Sequence, residues 1–464
     1  MNYKYDTLQG ALIGENNEIP VEIYYASLFS IFVKIKDKSK IRDGKRFIQL
    51  NIEIDEKIIV FKNCKFHLET SIDNINGRLV FLKDVYNFEK LFASNEVQNL
   101  EHFSNDLLLM LNQKERITSS FKDYISDLSY DLKIYKSYFN DLDNLLEQES
   151  EPVKSIVSQT IINTEGRKFM DFFIETLSDL KEIISSFSKN NHNLHGLYLR
   201  KQLWDIIICS EFMMRTNIKP RGYAGDSEMM QMIYENGYRG DSTFGKLLYK
   251  ISLEHPASQA VRNRRIMIPK ILRSIQKEIT LDKNEVFSFL SVACGPAYEL
   301  QDLFVTDEDI NKFNCTLLDQ DEEALDEASK NIKHIEKTLG YKVNARYLKN
   351  SVRTMLKTKT LSEEFGTFHY IYSMGLFDYL TTPVAKAVLE KLYSLLKPGG
   401  KILIGNYHID NPSRIFMEYW HDWVLFYRDE EEFASLLEDT TATNIKIIFE
   451  ETKSQMFLTA AKPY

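Results

Sequence analysis

The sequence is short of the residues that mark secreted, membrane-bound or unstructured chains. Its four cysteines, Cys64, Cys209, Cys294 and Cys315, lie far apart and form no CxxC pair. That argues against a disulfide framework or a structural zinc site, so no metal is expected and a reducing compartment fits. No apolar run approaches the ~18–20 residues a membrane span requires. The opening stretch carries acids, polar groups and Pro20 and does not read as a signal peptide. A cytoplasmic protein without stable membrane insertion is expected. Ten prolines and 18 glycines leave little material for long disordered linkers. Basic charge is not in excess either: 58 Lys and Arg against 67 Asp and Glu give a net charge of −9, which disfavours a nucleic-acid footprint.

What is present is the composition of a folded protein, 44% hydrophobic and 27% charged. A chain of 464 residues exceeds the ~250–300 at which one core stops growing, so two or three domains are expected. The sequence changes character twice, placing boundaries at 1–95, 96–215 and 216–464. In the first segment Phe29, Ile31, Val33 and Ile35, and then Ile48, Leu50, Ile52 and Ile54, alternate with other residues, the period of a half-buried strand. Turn signals at Asp43-Gly44 and Asn76-Gly77 complete the pattern of a small antiparallel β-barrel. In the second segment Ile125, Leu128, Leu132, Tyr135, Phe139, Leu142 and Leu145 recur at helical spacing, interrupted by Glu151-Pro152. This predicts a helical bundle, with a homodimer through the helical region as the alternative.

From about residue 280 strand and helix alternate. Strands are expected at Val286–Val292, Thr316–Leu318, Ala345–Leu348, Phe368–Tyr372 and Lys401–Gly405, with helices at Glu322–Leu339 and Val384–Leu396 between them. That order predicts a Rossmann-like α/β domain with a parallel sheet. Two closing strands, Ile445–Phe449 and Met456–Ala460, are joined too tightly for a crossover and should form an antiparallel hairpin.

In such sheets ligands bind at the carboxyl ends of the strands. The first strand ends in Ala293-Cys294-Gly295-Pro296, where Gly295 lets backbone approach a ligand and Pro296 fixes φ. The second ends in Asp319-Gln320, where Asp319 can accept both ribose hydroxyls and Asp321 can cap the next helix. The third runs into Asn350-Ser351-Val352, which frames adenine or is an ordinary turn. The fourth runs into Ser373-Met374-Gly375 and on to Leu380, facing the reacting end. Lys397-Pro398-Gly399-Gly400 reads as the turn into the fifth strand, after which come Tyr407 and His408.

These features resemble S-adenosylmethionine-dependent methyltransferases of class I. Residues ~216–464 resemble, more specifically, a bacterial family that includes synthases of 3-hydroxy fatty-acid methyl esters used in quorum sensing. The residues that carry the resemblance are Pro220-Arg221-Gly222-Tyr223-Ala224-Gly225-Asp226, Gln259–Arg264, Ser291–Glu299, Tyr372–Leu380 and Met417 to Arg428. The resemblance implies S-adenosylmethionine as cofactor and a small-molecule acceptor, a fatty-acid carboxylate among the candidates. It implies a cover formed by the segments around Tyr223 and Arg262, contacting the cofactor or the substrate. A carboxylate acceptor needs no general base at neutral pH but does need a cation, and Arg428 or the cluster Arg262, Arg264 and Arg265 would serve. Tyr407 and His408 would lie nearby, His408 as the base if the acceptor is an amine or hydroxyl. A methyltransferase acting on an amine, hydroxyl or protein stays open. So does a non-catalytic signalling module that binds S-adenosylmethionine or cyclic di-GMP.

Arg42-Asp43-Gly44-Lys45-Arg46 resembles the first half of the pattern in PilZ domains, small barrels that can bind cyclic di-GMP. The second half, Asp/Asn-x-Ser-x-x-Gly, is missing, since Asp73–Gly77 has no serine. A PilZ-like barrel without the dinucleotide, docking a partner or the enzyme itself, is the expectation.

Overall fold

The computed structural model describes residues 8–15, 17–26, 30–35, 41–54, 57–69, 75–82, 114–283, 285–358 and 360–464. The chain divides into two compact units, Met1–Ile117 and Thr118–Tyr464. The first holds six strands, β1 (Leu8–Ile13), β2 (Glu18–Ala26), β3 (Ser30–Ile35), β4 (Arg46–Ile54), β5 (Lys57–Glu69) and β6 (Ile75–Phe81). They close into an antiparallel barrel in the order β1-β2-β3-β6-β5-β4. Its interior is filled by Leu12, Ile23, Ile31, Val33, Leu50, Ile52, Phe61 and Phe66, as the period-two pattern requires.

Three details of the barrel depart from the simple pattern. Asn63 adopts φ 55 in β5, and the alternation slips there; Ile48, expected inside, is 49% exposed. Asn76-Gly77 is no turn but part of β6, paired with β3 and β5. Gly77 is required there because a Cβ would lie 1.9 Å from the Phe66 ring. Phe29 and Asp73-Asn74 lie outside the described residues.

The second unit opens with helices α1 (Ser119–Leu146), α2 (Glu151–Asn163), α3 (Glu165–Ile183), α4 (Lys189–Gln202), α5 (Trp204–Ile207), α6 (Glu211–Ile218), α7 (Ser227–Glu235), α8 (Thr243–Glu254) and α9 (Pro256–Glu278). Pro152 ends the first run by opening α2, where its missing N–H costs nothing. The stripe Ile125, Leu128, Leu132 and Phe139 is buried, but Leu145, in phase with it, is exposed. The helices are not a separate body. Phe173 packs on Phe416 and Trp420, and Arg200 donates to the carbonyl of Glu418 at 2.8 Å.

The remaining elements are β7 (Phe287–Val292), α10 (Glu299–Leu303), α11 (Asp307–Lys312), β8 (Phe313–Asp319), α12 (Glu322–Leu339), β9 (Ala345–Lys349), α13 (Val352–Lys357), α14 (Leu361–Phe365), β10 (Phe368–Ser373), α15 (Thr382–Ser394), β11 (Leu396–Tyr407), α16 (Arg414–Trp420), α17 (Glu430–Ser435), β12 (Thr443–Phe449) and β13 (Gln455–Ala461). The sheet order is β12-β13-β11-β10-β7-β8-β9. Strands β7 to β11 are parallel; β13 pairs antiparallel with β11 and β12. One face is covered by Leu389, Leu392 and Leu436 over Ile371 and Ile404. The other is covered by Ile268, Leu272 and Ile332 over Phe289 and Leu317. Lys397-Pro398-Gly399-Gly400 falls inside β11 rather than before it, with Gly399 at φ 73 donating to the carbonyl of Lys462 at 3.0 Å. Among the described residues no helix is long and apolar enough to cross a membrane.

Candidate cofactor and substrate site

The order β10-β7-β8 changes direction beside β7, and in open α/β sheets the carboxyl ends of the strands at such a reversal are where ligands bind. After β7 the backbone turns left-handed at Ala293, Gly295 and Ala297, with φ 52, 53 and 51. Such a conformation costs an alanine about 1 kcal/mol and glycine almost nothing. Space is what Gly295 provides besides: a Cβ there would meet no atom within 4 Å. The loop is stitched to the next strand. Cys294 N–H donates to the Leu318 carbonyl at 3.1 Å, and Gly295 N–H to Asp319 Oδ2 at 2.9 Å. Pro296 offers its carbonyl to Asn331.

Asp319, only 7% exposed, also accepts from Asp321 N–H through Oδ1 at 3.0 Å. Burial raises its carboxyl above the usual range, and the N–H donors of Asp321, Gly295 and Gln320 work against that rise. A carboxylate has about four acceptor sites, and these N–H groups do not fill them all, so acceptor capacity toward ribose hydroxyls remains. The Gln320 side chain is exposed. Asp321 caps α12 through Glu323 N–H, 3.0 Å.

At the third strand end Asn350 N–H donates to the Asp319 carbonyl at 3.0 Å, while its side-chain Oδ1 is buried without a hydrogen-bond partner. Ser351 is given a different task from ligand binding: its hydroxyl caps α13, accepting from Thr354 N–H. Val352 packs against the core beneath. The free polar group of this loop is thus Asn350. Its helix-capping neighbour masked it, because serine before a helix is the stronger signal.

The fourth strand tip is held from several sides. Ser373, fully buried, donates to the Val292 carbonyl at 2.9 Å. The Met374 carbonyl accepts from Arg264 Nη1 at 2.9 Å and from Gln455 Nε2 at 2.8 Å. A Cβ on Gly375 would lie 3.6 and 3.7 Å from the two Arg264 Nη atoms, so the guanidinium reaches this loop unobstructed. Arg264 is 7% exposed and, among the described residues, has no carboxylate within ion-pair distance. Its neighbours are Tyr234, Tyr407 and Asp378. On α9 it shares the buried face with Ala257, Val261, Ile268 and Leu272, and that helical spacing is the sequence signal that separates it from its neighbours. Arg262 instead ties helices together through the carbonyls of Leu253 and Ile233 and through Gln259. Arg265 pairs with Asp302 and stacks between Tyr234 and Tyr298.

The expected reacting-end residues are redistributed. Arg428 is 1% exposed and donates to the carbonyls of Phe377 (3.0 Å) and Leu380 (2.6 Å) and to Asn406 Oδ1 (2.5 Å). It braces the loop after β10. His408, one residue on from Tyr407, is engaged by Glu430 Oε2 at 3.1 Å and by Asp410 N–H. Tyr407 is buried, donates to the Ala257 carbonyl at 2.9 Å and lines a small cavity of about 20 Å³ with Trp423, Met417 and His255, room for one water. Asp378, missed in the sequence, accepts from Tyr407 N–H at 2.6 Å; burial pushes its carboxyl up to about 7.

The segment around Tyr223 packs against the loop after β10. Tyr223 lies edge to face with Tyr379 at 6.2 Å. Burial raises its phenol first, and then the charges of Asp319 and Asp321. Trp423 Nε1–H donates to Tyr379 Oη at 2.9 Å. Gly225 is needed because a Cβ would come within 2.5 Å of that hydroxyl. Asp226 is committed elsewhere, capping α7 and pairing with Arg215 at 2.7 Å.

Comparison with known proteins agrees on the domain. Residues 289–400 match a family described as a methyltransferase domain. No curated protein sequence matches the chain. Among solved structures, a protein from Bordetella parapertussis named as a possible exported protein is 14% identical, with 64% of this chain and 97% of that one covered at a TM-score of 0.41. Magnesium protoporphyrin IX methyltransferase from Synechocystis PCC 6803, with bound S-adenosylhomocysteine, is 11% identical over 44% and 86%, TM-score 0.34. The N-methyltransferase NodS from Bradyrhizobium japonicum WM9 is 12% identical over 46% and 90%, TM-score 0.30. With the matched segment spanning the Gly295 loop, Asp319 and the β10 tip, this chain is a methyltransferase that uses S-adenosylmethionine.

Proposed function

We propose that the chain methylates the carboxylate of a small molecule, of which a 3-hydroxy fatty acid is the first candidate, and that Arg264 anchors the anion. The observation that carries this reading is a buried guanidinium beside Gly375 with no carboxylate paired to it among the described residues. An unpaired buried charge is expensive, and a bidentate anion is its natural complement. The nucleoside half of the cofactor would rest on Gly295, Asp319 and Asn350, whose open space, spare acceptor sites and unpartnered Oδ1 fit it. When bound, S-adenosylmethionine supplies an electrophilic methyl group on a sulfonium. The protein's part is alignment and exclusion of water, and positioning of this kind contributes several kcal/mol. Tyr223, Tyr379 and Trp423 supply the wall.

The test is methyl transfer from radiolabelled S-adenosylmethionine to 3-hydroxy fatty acids and to amine and hydroxyl analogues. A methyl ester releases its label in mild base; a base-stable product would transfer the reading to an amine or hydroxyl acceptor. Arg264→Gln should raise KM for the acceptor. A loss confined to cofactor affinity would mean that Arg264 holds the cofactor's own carboxylate. The six-stranded closure of the first unit and its Arg42–Arg46 loop support a PilZ-like reading. Without the serine segment we expect no cyclic di-GMP binding, which a titration of the whole chain with that dinucleotide checks.

A further inference from the structure

We propose that Arg221 is the latch of a hinged strap, residues 219–226, and that its release sets how fast the nucleoside site exchanges its ligand. This rests on the cofactor reading above. The strap is pinned at both ends. Lys219 adopts φ 51 and pairs with Asp422 at 2.5 Å. Asp226 is fully buried against Arg215. Between them Gly222 sits at φ 88 with nothing within 4 Å of where a Cβ would go, so the middle can swing without colliding.

Tyr223 is carried by that middle. Its ring meets Tyr379, beyond β10, and its hydroxyl lies in the field of Asp319 and Asp321 at the tip of β8. Strand β7 lies between those two strands. On this proposal a tyrosine held near both strand tips has to be displaced before a ligand reaching from Asp319 to Gly375 can exchange.

Among the described residues, the polar ties that leave the strap interior all come from Arg221. Nη1 approaches Asp321 Oδ2 at 3.3 Å; Nη2 approaches Glu323 Oε2 at 2.7 Å and Glu327 Oε1 at 3.3 Å. It also donates to Ser227 Oγ. The three carboxylates belong to α12 and its cap, immediately after the ribose-binding tip. Glu327 Oε2 is buried and unpartnered, so Arg221 is the cation that offsets this acidic corner. Each pair alone is modest, and salt weakens it. Together they make a latch that holds yet opens on the time scale of turnover. Arg221 is thus a positioning residue that acts through Tyr223.

The full-length chain is loaded with S-adenosylhomocysteine and chased with excess S-adenosylmethionine in a stopped-flow instrument, with Trp423, against which Gly225 packs, as the fluorescent reporter. Dissociation from the wild type should quicken between about 50 and about 500 mM KCl. Arg221→Gln should dissociate about tenfold faster at low salt and lose the salt response. Arg221→Lys should be intermediate and keep it. If Arg221→Gln fails to fold, Glu323→Gln replaces it, since that side chain is 70% exposed; it should dissociate about two- to threefold faster. Wild-type rates and salt response in the folded variants would overturn the latch while leaving the cofactor reading intact. No binding of S-adenosylhomocysteine to the wild type would remove both.

Discussion

Arg428→Met separates a brace from a substrate anchor. The wild-type guanidinium satisfies two backbone carbonyls and one amide oxygen, all buried. Replacing it leaves the Leu380 carbonyl and the Asn406 amide oxygen without a donor, while the Phe377 carbonyl keeps the Leu380 N–H, at roughly 1–3 kcal/mol for each orphan if nothing relaxes. Methionine recovers part of this by filling the volume and by removing a cation whose own burial is costly. A net loss of about 3 kcal/mol follows, or a fall of roughly 5 °C in Tm for a unit of this size. The loop that loosens, Phe377–Leu380, carries Tyr379, so the environment of Trp423 should change with it. Thermal unfolding followed by tryptophan fluorescence reads both effects. Wild-type Tm and fluorescence combined with abolished methyl transfer would refute the brace and return Arg428 to the substrate.

Three further outcomes follow from the same geometry. His408→Ala should leave methyl transfer within about twofold of wild type, since the ring serves Glu430 at an exposed turn; a loss of orders of magnitude in a radiolabel assay would reinstate it as a base. Asp378→Asn should alter the pH dependence of stability. A carboxyl whose folded pKa is about 7 against 3.8 unfolded favours the fold at low pH, and that contribution is lost as pH rises through this window. Relative to wild type, the asparagine variant should therefore gain stability between about pH 4 and pH 7 and hold the gain above, in denaturation series at fixed ionic strength; a parallel pair of curves would contradict it. Gly295→Val should weaken cofactor binding while leaving Tm within a few degrees, since φ 53 strains the residue but its Cβ meets open space; unchanged affinity in a titration would show that nothing docks against this loop.

The fold was legible because its elements repeat the periods that burial imposes. Helix α12 begins at Glu322 and ends at Leu339, as its caps Asp321 and Gly340 dictate. The strands differ from the sequence reading mainly at their ends, where pairing extends β8 back to Phe313 and β11 back to Leu396. Barrel strands were less legible: a single left-handed residue, Asn63, changes which side chains face inward, and composition does not announce it. In the site, backbone-defined positions such as Gly295 and Asp319 could be read, because a left-handed turn and a strand tip leave local signatures. Side-chain destinations could not. Arg262, Arg264 and Arg265 look alike in sequence, yet one helix sends them to backbone carbonyls, to the site and to an aromatic stack. Arg428 and Asp378 depend on partners brought near only by the sheet, 22 and 29 residues away in sequence.

The central claim is that Gly295 and Asp319 cradle the nucleoside of S-adenosylmethionine. Isothermal titration of the wild type and of Asp319→Ala with S-adenosylmethionine tests it most directly. The wild type should bind, and the variant should lose about 1–3 kcal/mol of binding free energy, roughly 5- to 150-fold in Kd, while its Tm without ligand falls by only a few degrees as the Gly295 and Asp321 N–H groups lose their acceptor. No heat of binding in the wild type, or the same Kd in both proteins, would contradict the account.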